Sequence, residues 1–186
     1  NGVEIGGVFN IDKKEVQYFQ AAGVFNVVGG VTRGVQLAGV NNTVLNKVYA
    51  FQAAGVNNLV KGNFSGVQMA GVYNHVMDSV KGWQAAGVAN FSKNKVTGAQ
   101  VAGVINFSNR EMNGVQIAGV INYAKKLKGV QIGLINIADT SEGYSIGLFN
   151  IILKGYHKLS LFKNELTDFN VAFKTGNSKF YSILQA

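Results

Sequence analysis

Between Val96 and Phe107 the chain alternates in two sets. Val96, Gly98, Gln100, Ala102, Val104 and Asn106 share one side of an extended chain, and Thr97, Ala99, Val101, Gly103, Ile105 and Phe107 share the other. A helix would scatter both sets, so the period of two predicts a strand. The same phrase recurs along most of the chain. Glutamine stands at Gln20, Gln36, Gln52, Gln68, Gln84, Gln100 and Gln116, in steps of 16 residues, with Glu4 one step earlier. Asparagine keeps the same beat at Asn10, Asn26, Asn42, Asn58, Asn74, Asn90, Asn106 and Asn122. Between them lies a glycine, at Gly7, Gly23, Gly39, Gly55, Gly71, Gly87, Gly103 and Gly119. A fixed short period is the mark of a repeat architecture. The linking stretches, among them Asp12-Lys13-Lys14-Glu15, Lys61-Gly62-Asn63 and Asp139-Thr140-Ser141-Glu142, have turn chemistry.

A second beat of 32 residues rides on the first. Phe19, Phe51 and Trp83 precede a glutamine that is followed by Ala21, Ala53 and Ala85. The intervening units pair the smaller Val35, Val67 and Val115 with the larger Leu37, Met69 and Ile117. Volume compensation of this kind is what a dry, densely filled interior requires. It predicts that Trp83 and the phenylalanines occupy core positions.

A straight strand of about twelve residues spans roughly 40 Å, and a short turn cannot carry the chain back to its start. Either each unit bends, or neighbouring units run antiparallel. The later units, Val130 to Asn136 and Tyr144 to Asn150, have a single Gly133 or Gly147 where earlier ones have Ala-Gly. Loss of one residue within a flat strand would turn everything after it to the other face, whereas a corner absorbs the loss. The expectation is therefore an all-β parallel β-solenoid of about ten coils of 14–16 residues, each made of two short strands meeting at the glycine. Equivalent amides then stack into ladders. The alternative is an antiparallel meander or outer-membrane barrel, which the near-palindrome about the glycine and the alternating faces would also suit.

The rhythm stops at Tyr156. Phe169, Val171 and Phe173, then Lys174-Thr175-Gly176-Asn177, then Phe180, Ser182 and Leu184 read as a β-hairpin. This divides the chain into a solenoid over 1–155 and, over 156–186, a hairpin that caps the last coil or begins a following barrel. The sequence opens inside a repeat and stops inside a strand pattern, as a piece of a longer protein would.

The units Gly114-Val-Gln-Ile-Ala-Gly-Val-Ile-Asn122 and Gly129-Val-Gln-Ile-Gly-Leu-Ile-Asn136 resemble the repeats of bacterial surface-repeat proteins of the outer envelope, including Bacteroidota proteins with periplasmic modules before the repeats. The tail from Tyr156 is similar to the segment that leads from such repeats into an outer-membrane barrel. The repeat resemblance covers roughly Gly2 to Asn150. It implies an outer-membrane or cell-surface location and no particular activity. A 16-residue period with Ala-Gly departs from many relatives, so handedness and cross-section do not carry over.

With 186 residues, 47% hydrophobic, 24 Gly, no Pro and no Cys, the chain makes one body if the repeats are continuous, and it has no disulfide or cysteine-metal framework. His75 and His157 are far apart and make an unconvincing zinc pair. The carboxylates, such as Asp78, Glu111, Asp139 and Glu142, are mostly turn residues and do not recur in matched pairs as a glycosidase needs. The glycines are periodic rather than phosphate-binding. The aromatic residues, at packed positions, are poor candidates for stacking on sugars or bases. No cofactor is implied. A polysaccharide-acting β-helix enzyme remains the rival to a non-enzymatic structural or binding module.

The net charge of +8 comes from 17 basic and 9 acidic residues. If units stack, Lys13, Lys14, Lys47, Lys61, Lys81, Lys93, Lys95, Arg110, Lys125, Lys126 and Lys128 gather along one edge. Such a rim suits an anionic glycan or lipid, or simply keeps sheet edges soluble. Nucleic acid is not expected as a partner; other domains of a longer chain or other envelope proteins are.

Overall fold

The structure is a computed structural model and describes residues 2–163, 170–177 and 181–185. Residues of the repeats form one 19-stranded parallel sheet wound into a solenoid of about nine turns. Each coil contributes two strands. The first carries the glutamine and stacks in one column from Val3–Gly6 to Tyr144–Ile146; the second carries the asparagine and stacks from Phe9–Asp12 to Phe149–Ile152. Gln84 pairs with Gln100 and Gln100 with Gln116 on adjacent parallel strands, while Asn90 pairs with Asn106. The parallel register excludes the antiparallel meander for the repeats.

Each coil bends at its glycine. Ala102 ends one strand, Ile105 begins the next, and Gly103 sits between with its N–H on Ala86 O at 3.2 Å. Where Ala-Gly becomes a single glycine, the loss is absorbed at the corner. Gln116 still pairs with Gln131 and Asn122 with Asn136, although the asparagines are now 14 residues apart.

The interior has two halves. Beside the glycine corner it is filled by the Gln and Asn side chains, which are buried from Gln20 and Asn26 to Gln131 and Asn150. Towards the wider turns it is apolar, with Val28, Val44, Val60 and Val76 from the Asn strands and Val48, Phe64, Val80, Val96 and Met112 from the Gln strands forming one cluster. Thr32 stands in the column of Val16 and Val48, fully buried, and its hydroxyl has no partner. Thr32→Val should therefore raise stability by about 1–2 kcal/mol by removing an unsatisfied group at constant shape. Urea unfolding that shows no gain would mean that this hydroxyl finds a partner in solution.

The expected core placement holds for Phe64 but is reversed for the large residues that flank the glutamine. Trp83 is 64% exposed, Met69 45%, and Phe51 and Val67 38% each. The corner is the reason. It brings the two strands so close that Asn90 Nδ2 reaches the backbone O of Val101, on the facing strand of the next coil, at 2.8 Å. That gap holds an amide and an alanine, not an indole. The compensating residues therefore point outward.

Buried amides are costly unless every donor and acceptor is used, and here they form two ladders. Gln36 Nε2 donates to Gln20 Oε1 at 2.8 Å, and each glutamine donates to the one before it as far as Gln131 on Gln116. Asparagines donate the other way, from Asn10 Nδ2 to Asn26 Oδ1 at 2.9 Å and on to Asn136 and Asn150. The ends are chemically matched. Gln20 donates to the Glu4 and Asp12 carboxylates at 3.0 and 2.7 Å, and Ser145 Oγ donates to Gln131 Oε1 at 3.4 Å.

The tail forms a three-stranded antiparallel sheet from Tyr156–Phe162, Asn170–Gly176 and Tyr181–Gln185. The expected hairpin is present, but its first strand runs through Gly176, which pairs with Tyr181, so Lys174 to Gly176 are strand rather than turn. Phe169 and Phe180 lie outside the described residues. The strand at Tyr156–Phe162 was not anticipated, because its alternation is weak and six of its seven residues are exposed. The sheet meets the last coil directly. Asn150 Nδ2 donates to Ser182 Oγ at 2.6 Å, and Asn177 Nδ2 to Gly143 O at 2.8 Å. Removal of residues 156–186 should thus expose the last rung and make the rod fray or aggregate from Ile151 inward. A truncated chain that stays monomeric with an unchanged Tm would contradict a capping role.

Candidate functional site

Two surfaces stand out, the cationic rim and the apolar outer strip. The rim is built by the wider turns opposite the glycine corner. Stacking starts in the backbone: Lys61 N donates to Val44 O and Lys93 N to Val76 O, each at the exit of an Asn strand. Lys125 lies within the strand Ile121–Leu127 at the matching place. Lys47 and Lys95 sit two residues further on, before the next Gln strand, and Lys126 lies beside Glu111 in register. Lys81 pairs with Thr97 on the outer side of the Gln strands, and Lys128 enters the next Gln strand by the same side. Arg110 lies within the long strand Ile105–Ala118 that carries the chain straight through its turn.

The rim is not a uniform cationic stripe. Glu111 takes Lys95 at 2.8 Å and Lys128 at 3.1 Å, and Lys126 pairs with Glu142 at 2.6 Å. A shallow cleft among Arg110, Glu111, Lys125, Lys126, Asp139 and Lys154 is of mixed sign. Lys47, Lys61, Lys81 and Lys93 lie outside these ion pairs. Exposed pairs of this kind add little stability, yet they set a local charge pattern.

Hydrogen bonds from Lys95, then Lys128, hold the Glu111 carboxyl below its ordinary 4.5. A depressed folded-state value means that its contribution is present above the unfolded value and is lost as pH falls through the lower, folded one. Stability should therefore drop modestly below about pH 4.5, and Glu111→Gln should flatten that part of the profile. Thermal melts of the two proteins from neutral to acid pH that stay parallel would refute the assignment.

The two histidines do not meet. His75 is half-buried on the outer side of an Asn strand, edge-on to Phe91 at 6.1 Å, and burial lowers its pKa. His157 belongs to the tail sheet and stacks with Phe173 at 6.3 Å. Among the described residues no cluster of three or more His, Asp or Glu could hold a metal ion.

Sequence reasoning missed the apolar outer strip. A groove runs along the Gln sheet beside the corner, floored by Ala54, Ala70, Ala86 and Ala102 and flanked by Leu37, Met69 and Val101. On the other sheet Phe91, Phe107 and Tyr123 follow one another, with Phe107 and Tyr123 stacked at 4.8 Å. One signal could have found the strip. Gln from Gln20 to Gln131 and Asn from Asn10 to Asn150 hold from coil to coil, whereas their neighbours vary, and a constant ladder belongs inside. Comparison with protein-family models, curated proteins and solved structures finds no match to this chain.

Proposed function

We propose that the chain is a non-enzymatic structural module of a bacterial outer-envelope protein, a rod that holds or presents other parts of a longer chain. The observation that carries this reading is the pair of uninterrupted amide ladders. Nearly every recurring polar side chain is committed to holding one coil on the next, and a rod of this kind lengthens by duplication. The envelope location is supported by the resemblance of Gly114 to Asn122 to surface repeats.

Fractionation of the source cells and protease shaving of intact cells test this directly. Recovery of the protein in the cytosolic fraction would overturn the location. Turnover of an acidic polysaccharide that disappears on replacing Asp78 and Glu111 would overturn the non-enzymatic reading.

A second role is favoured by the cations outside ion pairs at Lys47, Lys61 and Lys93, on the wider turns, which suit an anionic glycan or lipid headgroup. Such binding should weaken steeply with added salt. It should also disappear when Lys47, Lys61 and Lys93 are replaced by Gln, without change in Tm. Absence of binding at low salt would leave the purely structural role.

A further inference from the structure

The exchange of large for small residues across the glutamine has no use inside a single rod, because both positions point away from its core. In successive rungs Phe51 accompanies Ala53, Met69 accompanies Val67, and Trp83 accompanies Ala85. Lipid, being fluid, adapts to any relief and selects no such rule. A rigid surface does, since voids and overpacking are both costly. The Asn sheet provides the contrast. There the corresponding outward positions keep no such exchange. Tyr73 with His75 and Ile105 with Phe107 are large together, and where one member is small, as Ala89 with Phe91 or Asn57 with Leu59, the larger stays on the same side of the asparagine. Whatever matches the relief therefore acts on the Gln sheet alone.

A half-turn about an axis parallel to the rod, passing in front of the glutamine column, exchanges the residue before each Gln with the residue after it in the same rung. Under that operation Phe51 of one copy faces Ala53 of the other, Met69 faces Val67, and Trp83 faces Ala85. The match extends one step further out. Three residues before the glutamine stands the exposed Tyr49, and three residues after it stands the side-chain-free corner at Gly55.

We propose that the outer face of the Gln sheet is the isologous interface of a parallel, two-fold homodimer. The area is adequate. The exchange spans about eight rungs, from Phe19 with Ala21 to Val130 with Ile132, which at about 4.8 Å per rung and five residues of about 3.3 Å make a strip roughly 38 Å by 16 Å. With its relief this approaches the ~800 Å² per partner of a specific interface.

Sedimentation equilibrium of the 186-residue chain tests the proposal, and the expected mass is twice the 19.8 kDa of one chain. Val67→Phe would set a phenylalanine against Met69 of the other copy and should weaken the dimer at least tenfold. Adding Met69→Ala should restore it to within about threefold. Ile137→Lys, on the Asn sheet, should leave the dimer unchanged. The chain contains no cysteine, so V67C/M69C should cross-link between copies on oxidation only if the rods run parallel in this register.

Four results would overturn the proposal. One is a monomer at about 100 µM. Another is a dimer broken by Ile137→Lys but indifferent to Val67→Phe. A third is failure of V67C/M69C to cross-link. The last is uptake of a monomeric rod by lipid vesicles through Trp83, which would identify the strip as lipid-facing. A Tm taken on each variant in the monomeric range separates loss of association from loss of fold.

Discussion

Asn90→Leu is expected to destabilise the protein by about 3–6 kcal/mol, among the largest effects of any single conservative-volume change in the rod. Leucine matches asparagine closely in shape, so the cost lies in the partners left behind. Asn90 Nδ2 donates to Val101 O at 2.8 Å and to Asn106 Oδ1 at 3.0 Å, while its own Oδ1 accepts from Asn74 Nδ2 at 2.9 Å. The change leaves two acceptors and one of the two Asn74 N–H groups, the other being held by Ala85 O, without partners in the dry interior, at about 1–3 kcal/mol each. Asn90→Asp should be worse still at neutral pH. It turns a donating edge into an accepting one and aims a carboxylate at two oxygens. Urea unfolding is the measurement, and a loss under about 1 kcal/mol for Asn90→Leu would show that the ladder is not what holds successive coils.

Gly98→Ala is expected to cost about 2–4 kcal/mol by a different route. Gly98 has φ of 131°, a region that L-residues avoid, and a Cβ built there would lie 2.0 Å from Gly82 O. The same column contains Gly66, Gly82 and Gly114, all at positive φ. A methyl group at Gly98 must push the backbone of one rung away from the next, against hydrogen bonds on both sides. Ala50 provides the control. It pairs with Gly66 in the same column but lies outside the positive-φ set and is buried. Ala50→Gly should therefore move stability by less than about 1 kcal/mol, and equal effects at the two sites would refute the explanation.

Much of the fold was legible in the sequence because the determinants are local and repeated. The steps from Gln20 to Gln116 set the register, and the shortened units at Gly133 and Gly147 identified the corner. Which side of the strand faces inward was harder. A period of two divides Val101 from Gln100 but does not say which is inside, and the usual preference for buried apolar groups favours the wrong choice here. Asparagine reverses it. Its amide spans the narrow corner to a backbone carbonyl, as Asn106 does to Ile117 O at 2.7 Å, a role that no hydrocarbon of that size can take. The apolar strip followed the same error. From sequence, volume compensation between Trp83 and Ala85 looks like packing within one rod, whereas both residues face outward. The gathering of Lys61, Lys93 and Lys125 on one edge follows from any stacking of the repeats, but the ion pairs of Lys95 and Lys128 with Glu111 and of Lys126 with Glu142 depend on side-chain reach across rungs.

The opposed directions of the two ladders bear on how long such a rod can be. A column of aligned amides carries a dipole that grows with each added unit, as in a helix. Here the glutamine column points one way and the asparagine column the other, so each added coil contributes two amide dipoles that largely cancel. The parallel backbone adds little of its own. The ends then need only short-range partners, a carboxylate at Glu4 and a hydroxyl at Ser182. No field accumulates at the termini, and coils can be inserted or lost without electrostatic cost to the rest.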